Sequence, residues 1–390
     1  MLKNGKINTQ SLVTFALIAS LLVLAIVLEQ TIKSTDPMAM LLTVLKKSSV
    51  YAVVAVSMNL LNGFTGLFSL GQAGFMLVGA YTYAIFAIPL ADRGFVYKYY
   101  DHVVNLSFPE VLENSFGSFG MIAGVLIAII LAGCAAALVA FLIGYPVLRL
   151  KSDYLAIATL GFAEIIRAVF QWAKFGPVTN AANPLKNYTR LNDFQFEIGG
   201  TTINFSTFTP VLLAILFISV IVMLVNSSYG RAFKAIREDE IAAEAMGINL
   251  FKHKQLAFCI SCFFAGAGGA MLAMFANTVQ ANNFKSAMTF EILLIVILGG
   301  IGSISGSCIG SLLFIFASEW WLRGLDSGTF LGIYAPSVFR NGFRLVTFSV
   351  IIMCVVLFFR RGIMGDKELT YTVRWLISKL RPKKAGEPDA

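Results

Sequence analysis

Ser227-Ser-Tyr-Gly-Arg-Ala-Phe-Lys-Ala-Ile-Arg-Glu-Asp-Glu-Ile-Ala-Ala-Glu-Ala-Met-Gly-Ile-Asn249 stands between two long apolar stretches, 208–226 and 255–276. Within it, apolar residues recur at Ala232, Phe233 and Ile236, and again at Ile241, Ala242, Ala245 and Met246. The run Arg237-Glu238-Asp239-Glu240 interrupts the stripe. The spacing predicts two short amphipathic helices joined by a charged turn, with Asp239 capping the second and Gly247 ending it. Tyr229 and Gly230 are expected to end the preceding apolar helix. Such a segment lies on a lipid surface or docks into a groove of a partner. Its acidic, Ala-rich composition suits an anionic lipid surface poorly and favours docking.

Outward from this loop the chain is overwhelmingly apolar. Of 390 residues, 57% are hydrophobic and 13% charged, and the mean hydropathy is +0.78. Soluble chains carry about 25% charged residues, so a soluble enzyme, a disordered chain and a disulfide scaffold are excluded. A membrane span takes about 20 apolar residues. Ten segments qualify: 12–28, 44–61, 73–91, 119–143, 154–173, 208–226, 255–276, 288–301, 304–322 and 345–359. The eighth and ninth are short and Gly-separated, so the expected count is about ten, with eight to ten as the range. The fold class is all-α, a polytopic transmembrane bundle over 1–359 with a basic tail over 360–390. Lys3 and Lys6 precede the first segment, and with no small-residue cleavage site after it we read an uncleaved span.

The net charge of +9 follows from topology rather than from nucleic-acid binding. With ten spans, both termini share one side, and that side holds 17 of the 30 basic residues. The opposite side holds 12, spread over longer loops, and Arg167 lies inside a span. The bias makes the side of the 227–254 loop and of both termini cytoplasmic. The long polar connections 92–118 and 174–207 then lie outside, available to an external partner.

Small residues recur every fourth position at Gly124, Ala128, Ala132, Ala136, Ala140 and Gly144, and again at Gly302, Gly306 and Gly310. This spacing serves close helix packing. No metal site is expected, because His102 and His253 are far apart and the five cysteines (Cys134, Cys259, Cys262, Cys308, Cys354) lie scattered in apolar runs. There is no P-loop, no Gly-x-Ser-x-Gly and no His-Glu-x-x-His, so an enzyme reading has little support. No residue is assigned a catalytic role.

The stretch Arg237 to Ile248 resembles the Glu-Ala-Ala…Gly coupling motif of ABC-importer permeases, and more closely the branched-chain amino acid permease family LivM. Ser57-Met-Asn-Leu-Leu-Asn-Gly-Phe-Thr-Gly-Leu-Phe-Ser-Leu-Gly-Gln-Ala-Gly-Phe75, Leu150 to Arg167, Ala257 to Ala273 and Leu298 to Gly306 agree with that pattern. The resemblance implies a permease subunit of an ATP-driven importer in the bacterial plasma (inner) membrane, moving leucine, isoleucine or valine by alternating access. The implied partners are a second related permease, two cytoplasmic ATPase subunits and an extracytoplasmic binding protein, with lipid around them and no nucleic acid. No cofactor is bound by this chain; ATP and Mg sit on the ATPases. The motif places ATPase coupling at Arg237, Glu238, Asp239, Glu240, Glu244 and Gly247.

Val178-Thr-Asn-Ala-Ala-Asn-Pro-Leu185 departs from the family's Gly-rich pattern there, which leaves open a permease for urea, short amides or another small solute. An ion-driven secondary transporter is a further alternative. Candidate pathway residues are the amides Asn59, Asn62 and Gln72 beside broken helix ends, the i, i+3 pair Glu164 and Arg167, and Glu291. Charges inside spans face a bundle interior or a water-filled path, or form a structural pair. Glu291 is also served by the dipole of a helix N-terminus.

Overall fold

In a computed structural model the described residues are 20–32 apart from 21 and 24, then 38–150, 152–198 and 201–321, with the short stretches 329–330, 333–334, 349–350, 353, 357 and 362–365. Most of the first and tenth apolar segments lies outside the described residues. The other eight become helices within a few residues of the expected bounds. They are α1 (Ala39–Asn59), α2 (Gln72–Ala87), α4 (Ser118–Val147), α5 (Ser152–Gln171), α6 (Phe208–Val225), α9 (Leu250–Ala276), α10 (Ser286–Gly299) and α11 (Ile304–Phe316). Further helices lie in the connections, among them α3 (Phe108–Phe116), α7 (Ser228–Glu238) and α8 (Glu240–Ala245), with single turns at Arg93–Val96 and Gly176–Thr179.

Among the described residues five helices are long and apolar enough to cross a membrane, and up to seven if each bent pair is one span. That count leaves out most of the first and tenth segments, which lie outside the described residues. With 14 and 13 residues, α10 and α11 rise only about 20 Å each, short of a hydrocarbon core of about 30 Å. They meet at a 119° bend built on Gly300 (φ 118°) and Gly302 (φ 88°). There is also some strand: β1 (Gln195–Ile198) pairs antiparallel with β2 (Thr201–Asn204), with Gln195 opposite Asn204, and two-residue strands pair at 329–330 and 333–334.

The core is the seam of α1, α2 and α9. Val50–Leu61 and Ala73–Ile88 are almost wholly buried, as are Ala257–Met274 along one face. With lipid as apolar as leucine, helices associate through close packing rather than through water exclusion. The glycines show how close this packing is. A Cβ on Gly79 would lie 2.0 Å from the Gly266 carbonyl oxygen, and one on Gly269 would lie 2.1 Å from that of Met76. The small-residue stripe of α4 does the same work, since Ala128, Ala132, Ala136 and Ala140 are fully buried and a Cβ on Gly266 would meet Ala136.

Long-range contacts sort the connections to two ends of the bundle. One end gathers residues 60–66, 228–249, 300–303 and 362–365, where Arg237 reaches Gly63 and the amides of Ile363 and Met364 donate to Leu298 and Gly299. The other gathers 88–116, 173–198, 201–207 and 277–286, where Leu185 pairs with Val279 and Tyr188 donates to Ala273. This is the same partition of loops that alternating spans predict.

Candidate functional site

At the first end stands the 228–245 loop. α7 begins at Ser228, capped by Ser227 Oγ, so Tyr229 and Gly230 open this helix rather than ending α6, which stops at Val225. Phe233 and Ile236 turn inward and are buried. Asp239 is the N-cap of α8, its carboxylate accepting from the amides of Ile241 (2.8 Å) and Ala242 (3.1 Å). α8 closes with the amide of Gly247 on the Glu244 carbonyl and that of Ile248 on Ala243. Gly247 sits at φ 84° to allow this.

The motif residues therefore divide into three groups. Asp239 and Gly247 shape the helix. Arg237 donates to the Gly63 carbonyl (3.0 Å) and pairs with Glu238 (2.5 Å). Glu240 pairs with Lys254 of α9 at 2.6 Å. Glu244 faces out, flanked by Ile241 (81% exposed) and Met246 (83% exposed). The apolar stripe expected of the second helix is thus left uncovered. Only Ala243 of α8 is buried.

The amides at the helix break are buried braces. Asn59 is fully buried. Its Nδ2 donates to Ser303 O (2.9 Å) and Ser307 Oγ (2.8 Å), and its Oδ1 accepts from the Gly302 amide (2.8 Å). Residues 60–64 continue α1 as a π-helical turn. Asn62 holds both backbone groups of Ser69. Gln72 donates to Ser57 Oγ at 2.8 Å. The link from α1 to α2 is therefore folded into the bundle, with Leu70 N donating to Thr159 Oγ1 of α5. Irregular backbone at such depth is tolerated where protein covers it.

Glu164 and Arg167 form an ion pair of 2.6 Å on α5, with side chains 35% and 25% exposed. Glu164 Oε1 also accepts from Ser286 Oγ (2.5 Å) at the start of α10. The exposed face around them carries Tyr154, Ile157 and Ile165, with open space at Gly161. Glu291 is the sixth residue of α10 rather than its opening residue. The N-terminal dipole fades within the first turn, so it does not account for this exposed carboxylate.

At the opposite end, 92–118 is no polar loop. It contains α3, with Pro109 in its first turn, folded so tightly on α4 that a Cβ at Gly120 would lie 1.9 Å from the Leu112 carbonyl oxygen. Arg93, which the pattern did not single out, is 1% exposed. Its Nη2 donates to the carbonyls of Ile85, Ile88 and Leu106 and so closes the C-terminus of α2. An arginine just past an apolar helix is the available signal. Tyr97 donates to Val178 O (2.8 Å), and burial holds its phenol neutral, pushed up to about 12. In the 178–185 segment, Asn180 (φ 59°) and Ala181 (φ 50°) take left-handed backbone without glycine. Thr179 Oγ1 donates to Phe170 O at 2.9 Å.

Apolar helices of this length, with their loops gathered at two ends, define a polytopic helical membrane protein. Residues 40–375 match the family model described as "Branched-chain amino acid transport system / permease component", and the chain belongs to that family. It is 31% identical over 291 residues to the high-affinity branched-chain amino acid transport system permease protein LivM of Salmonella typhimurium, and equally to that of Escherichia coli K12. Each match covers 69% of this chain and 61% of the relative, so it spans about three-fifths of those relatives' length. The LivH permease protein of Salmonella typhimurium is 23% identical over 329 residues, covering 82% of this chain and 93% of its own. No solved structure matches.

Proposed function

We propose that this chain is the membrane-spanning permease subunit of an ATP-driven importer and passes branched-chain amino acids across a bacterial plasma membrane by alternating access. The observation that carries the reading is the 228–245 loop. It is pinned to the bundle through Arg237 and through Glu240 and Lys254, while Ile241, Glu244 and Met246 project from it. A short helix with two bare apolar residues around a carboxylate fits a groove on a cytoplasmic ATPase. ATP and its Mg ion belong to that partner. The basic-residue bias supports a cytoplasmic position for this face and for both termini.

The second element is the face of α5. A partly exposed ion pair on a membrane helix is costly against lipid. Glu164 and Arg167 therefore turn toward a second permease subunit, and the pathway for a zwitterion runs between the two. An extracytoplasmic binding protein delivers the substrate to the opposite end. Family membership and the names of the LivM and LivH relatives support leucine, isoleucine and valine as substrates.

Mild-detergent purification of the chain from its native membrane, followed by mass spectrometry, tests the assembly. Recovery of ATPase subunits and a second permease supports it. Recovery of the chain alone, under conditions that keep other complexes intact, contradicts it and favours an ion-driven transporter. Competition of leucine, valine, urea and short amides for the co-purified binding protein tests the substrate class.

A further inference from the structure

Arg237 and Asn59 lie on one continuous polar route that neither the family match nor the relatives' names assign. Arg237 Nη1 holds the carbonyl of Gly63 at 3.0 Å. Gly63 belongs to the π-helical turn that ends α1. A Cβ on Gly63 would lie 1.9 Å from Asn59 Oδ1 and 2.7 Å from Gly302 N, so α1 and the α10–α11 turn touch there through bare backbone. One turn back, the Asn59 amide grips Gly302, Ser303 and Ser307 together. Two further contacts tie the loop to the same place. Lys234 Nζ lies 5.5 Å from the Phe64 ring centroid, and a Cβ on Gly66 would lie 3.3 Å from Arg237 Cα.

We infer that Arg237 and Asn59 are positioning residues that couple the 228–245 loop to the bent α10–α11 pair, so that movement of the loop drives the end of α1 and the glycine turn as one body. The inference rests on the proposed importer reading. The geometry suits transmission. Asn59 is buried with both amide atoms engaged, so its partners cannot slide without breaking several bonds at once. The turn it grips is set by two glycines at positive φ, and π-helical turns recur at functional sites. Arg237 is partly exposed, but its Nη1 is engaged by Gly63 and its Nη2 by Glu238, apart from the surface that Ile241, Glu244 and Met246 present.

The test uses the whole complex in proteoliposomes and measures ATPase recovery, ATP hydrolysis and substrate uptake for the same preparations. Arg237→Ala is expected to keep ATPase recovery within twofold of the wild type while uptake per ATP hydrolysed falls at least tenfold. Arg237→Lys, which still offers a donor to the Gly63 carbonyl, is expected to restore most of that ratio. Asn59→Ser combined with Arg237→Ala is expected to lower the ratio no further than the worse single variant, because both interrupt one route. An unchanged ratio for Arg237→Ala overturns the inference. So do independent, multiplying losses in the double variant, or a loss of ATPase recovery in Arg237→Ala that Arg237→Lys does not rescue. Failure of the importer reading itself looks different: the wild-type chain then recovers no ATPase and its uptake does not depend on ATP.

Discussion

Replacing Gly79 by alanine puts a methyl group where the Gly266 carbonyl oxygen is only 2.0 Å away. A relaxed carbon–oxygen contact is about 3.3 Å or more, so α2 and α9 must part locally by about 1.3 Å. The clashing atoms are backbone, and no flexible side chain can yield. A gap of about 0.5–1 Å forfeits a quarter to a half of each dispersion contact along the seam, and that seam includes Gly269 against Met76. Overpacking of this kind costs about 3 kcal/mol at the upper end of its usual range. The better helix propensity of alanine returns about 1 kcal/mol, leaving a net loss of about 2 kcal/mol. Gly161→Ala is the matched control, since nothing lies within 4 Å of where its methyl would stand, and it should gain up to about 1 kcal/mol from propensity alone. Thermal unfolding of the purified chain in mild detergent should lower the midpoint for Gly79→Ala and leave it level or raised for Gly161→Ala. Equal midpoints for Gly79→Ala and the wild type, or a lowered midpoint for Gly161→Ala, refute the packing argument.

Gly247→Ala should cost about 1–2 kcal/mol at the end of α8 through left-handed backbone alone, since its added methyl meets nothing. Gly247→Asn should cost less, because asparagine tolerates that region; hydrogen exchange of the Gly247 and Ile248 positions reads the difference, and equal losses count against the helix-ending role. The double change Glu164→Leu with Arg167→Leu removes a charge pair without leaving an unpaired ion, so the chain should express and assemble normally while amino acid uptake falls at least tenfold. Retained uptake would make the pair purely structural. Asp239→Ala should fray α8 at a cost of about 1 kcal/mol, seen as faster exchange of the Ile241 and Ala242 amides; unchanged exchange contradicts the cap.

Much of this architecture is legible in the chain because hydropathy and helix punctuation are local signals. The eight helices, the split of the 227–249 stretch into two helices, and the Asp239 and Gly247 ends follow from residues within a few positions of one another. The helix Phe108–Phe116 was hidden by its polar residues, although Pro109 is a helix-start signal. The β1–β2 pair was equally hidden, although Gly199-Gly200 between alternating residues is a hairpin signal. The partners of Asn59 lie more than 240 residues away, and no local pattern encodes them. The same limit applies to Arg237, Glu240 and Glu244. All three sit within eight residues of one another, and only the packing of α7 and α8 against Gly63 and Lys254 separates the charges that brace the loop from the one that projects.

In the proposed importer, α8 is the surface where a cytoplasmic ATPase docks. A photo-crosslinking amino acid placed at Ile241, in the full chain in its native membrane, tests it most directly. The account predicts a crosslinked product with an ATP-binding subunit, lost when Met246→Asp is added. Crosslinks to lipid alone, in membranes that contain the ATPase, contradict it.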